Sequence, residues 1–62
     1  MMTDHELAQI RTTLDALREH GPMTAEQIHQ RTGKPPDAIE GHLGILLRCQ
    51  LVGRSGAVYT PR

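Results

Sequence analysis

The chain is 62 residues long, with one cysteine, one aromatic residue (Tyr59), and seven basic residues balanced by seven acidic ones. That length allows a single small domain over residues 1–62 and is too short to enclose a catalytic pocket, so an enzyme is not expected. The lone Cys49 excludes an internal disulfide and fits a reducing compartment, and zero net charge excludes a uniformly basic nucleic-acid binder.

In chain order, TDHE at residues 3–6 has the spacing of a capping box, with Thr3 as N-cap and Glu6 reaching back. Leu7, Ile10, Leu14 and Leu17 follow at 3-4-3 spacing, which predicts one apolar stripe of an amphipathic helix. Gly21 offers a left-handed cap and Pro22 cannot continue the helix. Met23 is placed to add a short strand. TAEQ at 24–27 then repeats the capping-box spacing and opens a second helix that turns Ile28 inward and ends at Gly33.

Pro35 and Pro36 set the start of a third helix, because proline is tolerated at the first helical position. Its stripe is Ile39, Leu43, Leu46 and Leu47. Cys49 is expected in the core. Beyond it the period changes, and QLVGR and AVYTP flank Ser55-Gly56, the expected two-residue turn of a β-hairpin. The expected class is therefore α+β, three helices followed by a C-terminal hairpin. No secretory, transmembrane or lipidation pattern is legible, so the expected location is the cytoplasm.

Charge is unevenly spread. Residues 1–31 carry five acids against three arginines, whereas residues 32–62 carry Lys34, Arg48, Arg54 and Arg62 against Asp37 and Glu40. The C-terminal half is thus the more suitable one for a polyanion.

The run HLGILLRCQLVGRSGAVYT resembles the recognition helix and wing of small bacterial repressors of the ArsR and MarR types, at His42, Leu43, Leu46, Leu51, Val52, Arg54, Gly56 and Tyr59. The order of elements resembles a winged helix-turn-helix domain over nearly the whole chain. The resemblance implies a transcriptional regulator, active as a dimer, that contacts double-stranded DNA through helix 3 and the wing. Its phosphate contacts would be Arg31 and Lys34 near the turn, Arg48 on helix 3, and Arg54 and Arg62 on or beside the wing.

The residues also support another partner. At about 100° per residue, Asp37, Glu40, Gly41, Gly44 and Arg48 share the helix 3 face opposite its apolar stripe. Carboxylates there repel phosphates. Gly41, Gly44 and Ile45 together would make a flat, apolar contact for another protein, and winged helices also serve as protein-binding modules. His29 stands where helix-turn-helix units carry a small residue at the crossing of helices 2 and 3. No bound cofactor or metal is expected: His5, His20, His29 and His42 lie far apart, and Cys49 has no second thiol beside it.

Overall fold

A computed structural model describes residues 3–62. Helix α1 spans Asp4–His20, strand β1 Met23–Thr24, helix α2 Ala25–Thr32, helix α3 Pro36–Arg48, strand β2 Val52–Ser55 and strand β3 Val58–Pro61. Three helices followed by an antiparallel hairpin make an α+β winged-helix layout. The hairpin is joined by β1 into a three-stranded sheet of order β1-β3-β2, with β3 in the middle. Met23 pairs with Tyr59 on one side of β3, and Arg54 pairs with Tyr59 on the other.

Local chemistry accounts for the boundaries. At the start of α1, the Glu6 N–H donates to the Thr3 hydroxyl at 3.1 Å, half of the expected box. At α2 both halves are made: the Gln27 N–H donates to Thr24 Oγ1 (3.2 Å), and the Thr24 N–H donates to Gln27 Oε1 (2.9 Å). Gly33 closes α2 in the left-handed region (φ 71°, ψ 5°), and its N–H donates to the His29 carbonyl. Pro36 opens α3 at its first helical position. Gly21 departs from expectation: its φ is 84°, but a ψ of −166° takes it out of the left-handed helical region, so it swings the chain directly into β1.

The core is formed by Ile10, Leu14, Leu17, Met23, Ile28, Ile39, Leu43, Leu46 and Val52, with Thr13 buried among them. Two apolar expectations need correction. Leu7 is 58% exposed, because α1 turns only the face around Ile10, Leu14 and Leu17 to the other helices. Cys49 is exposed rather than in the core: α3 ends at Arg48, and Gln50 reverses the chain with φ 59° before Val52 returns inward. The hairpin turn also lies one residue later than expected. Ser55 pairs with Val58, so Gly56-Ala57 is the loop, with the positive φ (61°) on its first residue, where a type II′ turn needs glycine.

Candidate functional site

The helix-turn-helix unit is α2, the turn at residues 33–35 and α3. At the crossing, His29 is half-buried, and its Nδ1–H donates to the Lys34 carbonyl. A bulkier residue than usual is thus accommodated by making it a polar tie between α2 and the turn. The Thr32 hydroxyl donates to the Ile28 carbonyl (2.8 Å) and accepts from the Lys34 N–H (3.3 Å), which fixes the same turn from the other side.

The five basic residues expected at DNA fall into separate places. Arg31 and Lys34 line a cleft between α1 and the end of α2, which they share with Asp15 and Glu19. The Lys34 ammonium donates to Gln9 Oε1, so its charge is directed back onto α1. Arg48 is exposed in the last turn of α3. Arg62 follows β3; its N–H donates to the Leu51 carbonyl, and its side chain lies over Gly53.

Arg54 is the most constrained of the five. Its Nε–H donates to the Gly56 carbonyl at 2.7 Å, and its guanidinium lies 5.6 Å from the centroid of the Tyr59 ring, its cross-strand partner. Both side chains line a shallow concavity where the hairpin faces the start of α2 and the outer side of α3. Glu26 and Glu40 line it too, and an adjoining hollow is formed by Ala25, His29, Pro36 and the same two glutamates. The surface between α3 and the wing is therefore mixed in charge, with a held arginine between carboxylates. Glu26 and Tyr59 were not anticipated as part of this surface. The sequence marked Glu26 only as part of a helix-capping turn and Tyr59 only as the aromatic that ends the wing, and neither is tied to Arg54 and Glu40 until β1 and β3 pair.

The expected protein contact at Gly41, Gly44 and Ile45 changes character. Gly41 is exposed, while Gly44 and Ile45 are half-buried, and Ile45 packs in part against the core, which leaves only the remainder of its side chain on that face. Asp37 has a structural reason to be acidic, since it lies in the first turn of α3 at the positive end of the helix dipole.

A second polar cluster ties α3 to α1. Thr13, fully buried, donates its hydroxyl to the Gln9 carbonyl (3.3 Å), and His42 Nδ1–H donates to Thr13 Oγ1 (3.1 Å). The His42 pKa is lowered from its usual 6.5, first by burial and then by the Lys34 ammonium, with Glu6 opposing. Among the described residues no three His, Cys, Asp or Glu side chains are grouped to hold a metal ion, and no helix is long and apolar enough to cross a membrane. Comparisons with protein families, with curated proteins and with solved structures find no match for this chain.

Proposed function

We propose that this chain is a small winged-helix DNA-binding regulator that holds duplex DNA mainly through its wing and the exposed side of α3. The observation that carries this reading is the placement of Arg54. It lies on the hairpin beside α3 and is held in one orientation by the Gly56 carbonyl and the Tyr59 ring, so little side-chain freedom remains to be lost on contact with a phosphate. Arg48 adds charge in the last turn of α3, Arg62 lies over Gly53 on the other face of the hairpin from Arg54, and Arg31 and Lys34 act at the edge of the α1–α2 cleft. The resemblance of the helix 3 and wing sequence to ArsR and MarR-type repressors supports the same partner. Affinity per domain is low, because Glu40 and Glu26 repel phosphates close to Arg54 and Asp37 does so at the start of α3.

One observation favours a second reading. Glu26 and Glu40 flank Arg54 in the concavity that a duplex would cover, which suits a protein partner with its own basic groups and makes the domain an interaction module.

Fluorescence anisotropy on labelled duplexes at several salt concentrations separates the two. Under the DNA reading, Arg54→Ala weakens binding alike on unrelated sequences and lowers the slope of log affinity against log salt by about one. Glu40→Gln and Asp37→Asn tighten it. Lys34→Ala has less effect than Arg54→Ala, because the Lys34 ammonium is engaged by Gln9. Absence of salt-sensitive binding in dilute buffer, in wild type and in both acid-neutralised variants, overturns the regulator reading and leaves the interaction module.

A further inference from the structure

The large apolar side chains exposed among the described residues are Leu7 (58%) and Leu51 (39%), one near the start of the chain and one after α3. Single exposed leucines are ordinary, but these two border one groove on the flank of α1, floored by Ile10, Leu14 and Leu46. Arg11 and Arg18 edge the groove, and no acidic side chain lines it. It shares no residue with the concavity between α3 and the wing.

Helix α1 sorts its charges between its two flanks. Asp15 and Glu19 line the cleft on the other flank, together with Arg31 and Lys34. Arg11 and Arg18 are left on the groove side, both exposed. They stand about two turns apart, which separates them by about 10 Å along the helix axis. Asp4 lies beyond the end of the groove at Leu7. An apolar floor with a wholly basic rim is thus built into a chain whose net charge is zero.

The walls decide the form of what fits. They are helical side chains and Leu51, whose backbone groups are already used: its N–H donates to the Leu46 carbonyl, and its carbonyl accepts from the Arg62 N–H. An extended segment would find no backbone partners there, whereas a helix satisfies its own. A helix laid along α1 covers the floor with apolar residues at i, i+3 or i+4, and i+7. A second copy of this chain fits poorly, because a twofold contact pairs a surface with itself and would bring two more arginines to a rim without carboxylates.

We propose that this groove docks an acidic amphipathic helix of another protein. Its apolar face seats on Leu14 and Leu46 between Leu7 and Leu51, and its carboxylates, about two turns apart, meet Arg11 and Arg18. The docking surface lies away from Arg54 and does not rest on the DNA reading.

Fluorescence anisotropy at low ionic strength tests it, with a labelled helical peptide of about four turns that carries leucines at i, i+4 and i+7 between glutamates. A second peptide has lysines in place of the glutamates. The full chain is expected to bind the glutamate peptide at least about 10-fold more tightly than the lysine one. Leu7→Ser and Leu51→Ser each weaken that binding about 10-fold, through lost apolar contact. The double change Arg11→Glu and Arg18→Glu reverses the preference towards the lysine peptide. Arg54→Ala leaves peptide binding unchanged, since Arg54 lines no part of the groove. All the altered side chains are exposed, and circular dichroism checks that each variant is folded. A chain that ignores the glutamate peptide, or binds both peptides alike, overturns the proposal. So does a double arginine variant that keeps the original preference, and so does an Arg54→Ala loss as large as that of the leucine variants. Sedimentation velocity and vesicles of phosphatidylglycerol cover the other occupants. Self-association or vesicle binding that the leucine changes abolish, in a chain indifferent to the glutamate peptide, gives the groove to a second copy or to a membrane surface and likewise overturns it.

Discussion

His42 shows how one buried contact links pH to the position of α3. Its imidazole joins α3 to α1 through Thr13, and burial together with Lys34 favours the neutral ring, with Glu6 acting in the opposite sense. The unfolded chain has its histidine near the usual 6.5, and the folded pKa lies below that. Between the two values the unfolded state binds more protons, so stability is complete above about pH 7 and falls as pH drops through about 6.5 towards the folded pKa, below which it falls no further. Wild type is therefore expected to lose melting temperature between about pH 7.5 and 5.5, and His42→Gln to lose less over the same window. Lys34→Ala should raise the His42 pKa by removing the neighbouring ammonium. An NMR titration that puts the midpoint of His42 at or above 6.5 would overturn this account.

Helix α3 carries two glycines that no helix of 13 residues needs for its own sake. A Cβ added at Gly41 or Gly44 meets nothing within 4 Å, so none of the described residues approaches closely enough to require glycine there. Gly41→Ala and Gly44→Ala are each expected to stabilise the domain, by up to about 1 kcal/mol, as measured by urea unfolding. A loss of stability would show that the helix packs otherwise. Much of this level was legible in the sequence, for physical reasons. The Thr24–Gln27 box, Gly33 and Pro36 act through contacts within a few residues, so they marked the ends of α2 and α3 directly. The 3.6-residue period likewise located Ile39, Leu43 and Leu46 in the core. What depended on distant packing was misread: Leu7 keeps the helical spacing but lies past the edge of the contact with the other helices, and Cys49 is apolar enough for a core that α3 never reaches at its end. The hairpin turn slipped by one residue because Ser55-Gly56 and Gly56-Ala57 both supply a glycine, and only strand pairing decides which position needs positive φ.

At the scale of the whole molecule, the candidate site was less legible than the fold, because it is assembled from three elements whose residues are unremarkable alone. Arg54 was identified from its place in the hairpin. Its restraint by Tyr59, and the Glu26 and Glu40 carboxylates around it, appear only once the sheet closes against α2 and α3. The same smallness that spreads the site over the surface leaves the core with no reserve. A single core in so short a chain supplies no more than about 3–5 kcal/mol of net stability. Leu43 is 1% exposed at the centre of α3, between Ile39 and Leu46, and faces the helices it must hold. Leu43→Ala removes about 2–5 kcal/mol through lost burial and the cavity left behind, which is comparable with the whole. The variant is therefore expected to be largely unfolded at room temperature by circular dichroism. Leu47→Ala is the control, since Leu47 lies on the same helix and is only half-buried. Its smaller loss of buried surface should leave a folded protein with a lowered melting temperature. A Leu43→Ala domain that melts within a few degrees of wild type would mean that the helices are not held together by this stripe, and the placement of α3 beside the wing would lose its foundation.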